Sequence, residues 1–598
     1  MASSSTQAPL APGASEDSSE RCALLNDHEV DKWQTNKSSW HLLMLALSIG
    51  GLQIAWSVEL SNGSPYLLSL GLSKSLMALV WMAGPLTGTL VVPYVGIVSD
   101  NCRIAWGRRR PFLIGGAVAT ILGLLFLAWT KEIIGGVLSL FGVDPASRGC
   151  SVAVIVAAVI AIYVLDIAIN TVQAATRALM VDCAPCQQQE QVNAMASRLT
   201  GVGNIVGFLA GYSHLPRHLW FLGNSQFKIL CAIAAIALGL SVAISASTIT
   251  ERNPCDAASP PRKTPHIFSF FFNIFKSIRR LPPRVRRVCQ VQFCAWIGFF
   301  PLLFYTSSYI GDIYVQPYLE ANPNMTRQQL DRLYEQATRI GTFALLANAI
   351  VSLSTNVFLP VLVAPSYDKV AYVHQGDSSG AKQSSVLDKL RIRGFTIRRA
   401  WCLSLLLFAI VMFCTPFVRS VKAATVLIAL AGVTWAMALW APWAIISAEI
   451  SQRDGLNRAS RLHTAMARGQ QGSCLAETAG QGTAQGAVQG AVQDGSPAPC
   501  DSGDMHSAAR DSNQDREQVD EAGVILGIHN MAIALPQIVA TVGSSLVFKI
   551  WQKPRGTPGD NSIGIVMALG GACVLASCIF ATRINDGAET DVQDVEQG

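Results

Sequence analysis

Four polar residues interrupt one face of a long apolar stretch. Between Val152 and Asp182 the chain reads V-A-V-I-V-A-A-V-I-A-I-Y-V-L-D-I-A-I-N-T-V-Q-A-A-T-R-A-L-M-V-D, with Asp166, Asn170, Gln173 and Arg177 at i, i+4, i+7 and i+11. On an α-helix that spacing holds them within roughly 60° of one another, and the run is long enough to cross a bilayer. A carboxylate at mid-membrane costs about 2.5 to 3.5 kcal/mol on insertion scales, so it belongs in a bundle interior or a water-filled path. Arg177 stands about 16 Å farther along the helix axis, where at an effective dielectric of about 20 it supplies only about 1 kcal/mol of attraction. Unless another helix brings a closer cation, taking up a proton is the cheaper state for Asp166. The stripe therefore reads as the wall of a substrate cavity. The competing reading pairs Asp166 with a neighbouring helix and lets Arg177 snorkel to the interface.

The elements that position this stripe are themselves apolar. Of 598 residues, 51% are hydrophobic and only 14% are charged, and the mean hydropathy is +0.35. Soluble domains carry about 25% charged residues, so an integral membrane protein is indicated. The net charge of +6 is modest and does not point to nucleic acid. Fifteen cysteines lie mostly inside apolar runs without the spacing of a disulfide framework, so buried or cytosol-facing thiols are expected. Cys183-Ala-Pro-Cys186 stands alone at a helix end, and neither a metal nor another cofactor is expected. No phosphate-binding loop or nucleophile motif suggests an enzyme.

Spanning runs recur about twelve times, between 41–68 and 563–582, as six, a basic hydrophilic interval, and six. The expected organisation is a disordered tail over 1–39, a six-helix bundle over 40–249, and a basic linker over 250–288 whose residues 266–280 form an interfacial helix. A second six-helix bundle follows over 289–582, then a tail over 583–598. Within the second bundle, residues 452–520 are rich in Gly, Gln, Ala and Ser and are expected to be disordered. Residues 41–68 hold Glu59, Ser61, Asn62 and Ser64 before Pro65-Tyr66, and are read as one long helix with a polar patch, because the next span begins near Leu76. Lys and Arg concentrate in the even-numbered connections, which places both termini in the cytoplasm. Asn324, in an odd connection, then faces outward as a glycosylation sequon.

The halves repeat one another. Arg103-Ile-Ala-Trp-Gly107-Arg-Arg-Arg-Pro111 follows the second span and Arg391-Ile-Arg-Gly394-Phe-Thr-Ile-Arg-Arg399 the eighth, while Asp182 ends the fourth and Glu449 the tenth. Such symmetry marks duplicated transporter halves. Asp100, Arg108, Arg109, Arg110, Asp182 and Glu449 are read as a latch on the cytoplasmic side, against the simpler alternative of a positive-inside charge cluster.

Gly96-Ile-Val-Ser-Asp100 leading to Gly107-Arg108-Arg109-Arg110-Pro111 resembles the signature between helices two and three of the major facilitator superfamily. With Leu165-Asp166 through Asn170 and Gln173 to Arg177, and Gly201-Val-Gly-Asn204, the chain is similar to the sucrose transporters among the glycoside-pentoside-hexuronide cation symporters. Pro65-Tyr66, Trp440-Ala-Pro-Trp443 through Glu449, and Gly527-Ile-His-Asn530 resemble the fungal α-glucoside branch. The resemblance implies an all-α membrane protein of twelve transmembrane helices in two six-helix pseudo-repeats, the major facilitator fold. It implies proton-coupled disaccharide import by alternating access, with Asp166 as proton site and Arg177 as sugar or coupling residue. Plant members carry a histidine after helix one, where this chain has Ser73, and several charges in helix seven, where Tyr305 to Asp312 holds one acid. Maltose and related α-glucosides therefore stand beside sucrose as substrates.

Sugars stack on aromatic faces and hydrogen-bond to groups that both donate and accept. The expected contacts are Trp56, Tyr66, Asn170, Gln173, Tyr305, Tyr309, Asp312, Trp440 and Trp443 together with Arg177, and Glu59 is a possible sugar ligand or second proton site. The partners expected are sugar, protons and the bilayer, for a chain acting as a monomer in the plasma membrane, or alternatively in a vacuolar or endosomal one. A uniporter or exporter of the same fold, or a sugar sensor using 452–520 for output, remain the other readings.

Overall fold

The computed structural model describes residues 36–251, 278–363, 392–449 and 503–584, apart from short breaks within them. Eleven helices among these residues are long and apolar enough to cross a membrane. The first half contains α1 (Ser39–Ser69), α2 in two pieces (Lys74–Val80 and Ala83–Asp100), α3 (Arg110–Ala128), α4 (Arg148–Cys183), α5 (Gln189–Tyr212) and α6 (Gln226–Thr248). The second contains α7 (Pro283–Ala321), α8 (Arg327–Leu362), α9 (Ile397–Cys414), α10 (Val421–Ile446), α11 (Gly503–Trp551) and α12 (Ser562–Thr582). The helix that hydropathy alone does not count is α5. Its polar residues face its neighbour, as Asn204 Oδ1 accepts from Gln53 Nε2 and from Ser57 Oγ of α1, each at 2.9 Å.

Short polar residues start these helices by capping their free N–H groups. Ser38, Ser147 and Ser225 each accept from the backbone N–H three residues on, and Thr326 with Gln329 closes a capping box. Ser73 does the same for α2, accepting from Leu76 N. The expected long first helix is observed, with Pro65 inside it.

Packing repeats with the sequence. In the first half α1 lies against α5 and α6, and α3 against α4 and α6; in the second, α7 lies against α11 and α12, and α9 against α12. The halves meet where α5 packs on α8 and where α11 packs on α2. Exchanging each helix for its counterpart in the other half, α5 for α11 and α8 for α2, turns the first of these contacts into the second, which is the signature of a two-fold relation between duplicated halves. The loops agree, since Gly107 after α2 and Gly394 after α8 both have positive φ, +118° and +80°.

Every described cysteine is a free thiol. The expected interfacial helix and the terminal tails fall largely outside the described residues, as does 452–502. The helix of α11 begins at Gly503, inside the stretch expected to lack order.

Candidate functional site

The polar stripe of α4 is divided between two surroundings. Asp166 lies at the middle of the helix, 1% exposed, and neither carboxyl oxygen has a hydrogen-bond partner among the described residues. Two glycines let α2 come close to it. A Cβ at Gly84 would stand 3.8 Å from Asp166 Oδ1, and one at Gly88 would stand 3.6 Å from Asn170 Oδ1. Asn170 Nδ2 donates to Thr87 Oγ1 of α2 at 3.0 Å and to the Asp166 carbonyl at 2.9 Å. The amide expected at the sugar thus ties α4 to α2 through its N–H₂ group. Gln173 is half-buried. Arg177 is exposed.

Glu59 of α1 is the second buried acid, 4% exposed and likewise without a hydrogen-bond partner among the described residues. It interacts electrostatically with Asp166. Two carboxyls that share a site without cations cannot both ionise at small cost.

The second half adds its own unsatisfied groups. His529 of α11 is fully buried, and neither ring nitrogen finds a partner among the described residues. Its ring meets Trp443 edge-on, with centroids 4.7 Å apart and planes at 78°. On α7, Gln292, Trp296 and Tyr305 are buried with unsatisfied side-chain polar atoms. The Tyr305 ring packs edge-on against Phe548, and its hydroxyl approaches Ser544 of α11 without hydrogen-bond geometry. Trp56, Trp440 and Trp443 are half-buried.

Other expected contacts have partners within the protein. Tyr309 donates to the Thr415 carbonyl at 2.7 Å. Tyr66 donates to the Leu127 carbonyl at 2.9 Å and stacks on Phe227 at 4.4 Å. Asp312, expected near substrate, is bound by Lys74 at 2.6 Å. The same ammonium reaches Asp560 at 2.9 Å, so one lysine from α2 bridges two acids of the other half. Burial alone would raise the Asp560 carboxyl, but the Lys74 charge and the hydrogen bond from the Ser562 N–H hold it below its ordinary value. Beside this triad Ser64 Oγ donates to the Phe304 carbonyl at 2.7 Å, and Ser307 Oγ to the Ser61 carbonyl at 2.5 Å. These contacts join the halves toward the end away from the arginine loops. Beyond them opens a cavity of about 900 Å³ whose lining includes Asn62, Tyr66, Lys74, Asp312 and Tyr334.

At the basic end Asp182 receives Arg108 through two nitrogens, at 3.0 and 2.7 Å, and Arg109 Nε at 2.8 Å. Glu449 is paired with Arg284 of α7 at 3.4 Å. A further acid, unforeseen from sequence, anchors this region. The Glu251 carboxylate accepts the backbone N–H groups of Arg108, Arg109 and Arg110 at 2.8, 2.9 and 2.9 Å, closing the N-terminus of α3 where a negative charge is favoured. Arg110 Nε lies 3.9 Å from the same carboxylate. The Asp100 side chain and Asn324 lie outside the described residues.

Sequence pointed to Asp166 and Glu59 but not to His529, Gln292 or Trp296. Gln292 and Trp296 stand four apart on α7, and His529 interrupts an apolar run. Helical spacing of polar residues was thus the available signal on α7, and a lone buried histidine on α11.

Two pseudo-symmetric six-helix halves with unsatisfied polar groups in both, joined at one end by polar contacts, define a secondary membrane transporter. Residues 64–279 match the model of the family described as MFS/sugar transport protein. Over 90% of its length the chain is 30% identical to the general alpha-glucoside permease of Schizosaccharomyces pombe, covering 92% of that protein. Over 52% of its length it is 29% identical to the sucrose transport protein SUT1 of Oryza sativa subsp. japonica, covering 59% of that protein. The chain belongs to the MFS sugar transport family. Its fold is also similar to that of the xylose transporter XylE from E. coli in a partially occluded inward open conformation, with a TM-score of 0.51 at 12% identity over 91% of this chain and 97% of that one.

Proposed function

We propose that the protein is a proton-coupled symporter that imports α-glucosides such as sucrose and maltose by alternating access. The observation that carries this reading is the pair of buried acids, Asp166 and Glu59, whose oxygens have no hydrogen-bond partner among the described residues. A uniporter needs no titrating group at its centre. An acid that is neutral when buried and ionised when reached by water links proton movement to the exchange of access. The substrate class rests on the S. pombe relative, named for α-glucosides, and the rice relative, named for sucrose.

Asp166 is the main proton site, with Glu59 beside it, and Arg177 and Gln173 contribute donors to the sugar. Arg108 and Arg109 with Asp182, and Arg284 with Glu449, brace the basic end, which faces the cytoplasm with both termini, in the plasma membrane. The test is uptake of labelled sucrose and maltose by cells lacking their own carriers, with and without a protonophore. Concentrative uptake that collapses with the protonophore supports the reading, and uptake indifferent to it overturns it.

A further inference from the structure

We propose that His529 is a specificity-determining residue that hydrogen-bonds a ring hydroxyl of the glucosyl unit, with Trp443 as the apolar wall beside it. The inference rests on the sugar-transport reading above and adds a residue of the second half to the site. A histidine with neither ring nitrogen partnered is costly inside a membrane protein, because each buried polar atom forfeits its hydrogen bond to water. His529 is 0% exposed and both nitrogens are in that state among the described residues, so folding alone does not account for them. A neutral imidazole offers one donor and one acceptor. A sugar hydroxyl can partner either nitrogen, as donor to one or acceptor from the other, and a polyol carries enough of them to serve both where an apolar or purely anionic ligand does not.

The neighbourhood fits a pyranose. Trp443 presents an aromatic surface 4.7 Å from the imidazole, centroid to centroid, and indole faces are where the C–H side of a sugar ring rests. Arg177, from α4 of the opposite half, acts electrostatically on His529. His529 and the Asp166 to Arg177 stripe stand on helices of opposite halves, so a sugar that reaches both touches the two halves at once, as a substrate must if its binding is to bias their rocking.

The experiment measures equilibrium binding of methyl α-glucoside and its monodeoxy analogues to the purified full chain in detergent. Wild type is compared with His529→Ala and His529→Gln, and size-exclusion chromatography reports folding. Wild type is expected to bind the parent glucoside about tenfold or more tightly than the analogue lacking the contacted hydroxyl, the usual consequence of leaving a buried group unpaired. His529→Ala should bind parent and analogue alike, with the other deoxy positions still discriminated. His529→Gln, which keeps a donor and an acceptor, should recover part of the preference. If His529→Ala is folded and discriminates every deoxy position as wild type does, the proposal is overturned. If His529→Ala does not fold, His529→Leu, which fills the space without a polar atom, takes its place: loss of the same preference supports the proposal and its full retention overturns it. Failure of wild type to bind any glucoside overturns the transport reading instead.

Discussion

Replacing Asp166 by Asn converts the proposed coupling group into a permanent mimic of its protonated form. The change is nearly isosteric, and Asn170 keeps its bond to Thr87, so the contact between α2 and α4 is preserved. With Arg177 about 16 Å along the axis, ionised Asp166 gains about 1 kcal/mol at an effective dielectric of about 20. Holding the charge at mid-membrane costs about 2.5 to 3.5 kcal/mol, so closing the site to water shifts the balance toward the neutral form. A membrane potential of about 100 mV supplies roughly 2.3 kcal/mol per proton and one pH unit about 1.4 kcal/mol more. Together they sustain a sugar gradient of a few hundredfold at about 1.4 kcal/mol per factor of ten. Asp166→Asn should bring accumulation down to simple equilibration while labelled sugar still exchanges across the membrane. Sugar-induced proton current and labelled uptake are measured side by side. If the variant still concentrates sugar and still carries sugar-dependent proton current, the reasoning about Asp166 fails.

Other perturbations test the two ends. Lys74→Met strands Asp312 and Asp560, and at about 3 kcal/mol for a broken buried pair it should open the far end about a hundredfold more often. An impermeant thiol reagent should then label a cysteine placed at Gln173, on the α4 stripe, faster, and an unchanged rate counts against the lock. Because Asp560 is held below its ordinary value of 3.8, its contribution is present above that pH and lost as pH falls through the lower folded value. The ratio of the Asp560→Asn labelling rate to the parent's, in which the thiol's own pH dependence cancels, should therefore be flat from about pH 5 to 7 and fall toward one only in stronger acid. Glu251→Ala removes the acceptor of three backbone N–H groups and should cost about 2 to 4 kcal/mol, read as a lower melting temperature in detergent. Gly107→Ala should destabilise too, because φ is +118° and a Cβ would meet Glu251 Cδ at 2.6 Å; an unchanged melting temperature refutes the role given to this turn.

What was legible in the sequence was whatever one helix displays by itself. The spans, the caps, the α4 stripe and the duplicated arginine loops are local patterns, and the structure keeps them. The pairings were not legible, because they join residues far apart in the chain. Nothing local in the linker marks Glu251 as the acceptor for Arg108 to Arg110, and nothing local sends Lys74 to Asp312. Asn170 and Arg177 share a face of α4, yet the glycines of α2 draw Asn170 into a helix contact and leave Arg177 exposed. Buried acids are conspicuous in an apolar run; a single histidine such as His529 becomes so only when its neighbours prove to offer it no hydrogen bond.

The central claim, that sugar and proton movements are linked in this one chain, is tested most directly with purified protein in sealed liposomes under an imposed pH gradient. With an acidic exterior, labelled sucrose or maltose should accumulate above its outside concentration, the lumen should acidify only when sugar is present, and both should vanish when a protonophore dissipates the gradient. Sugar that enters only to equal concentration, at a rate indifferent to the gradient and without proton entry, would contradict the account.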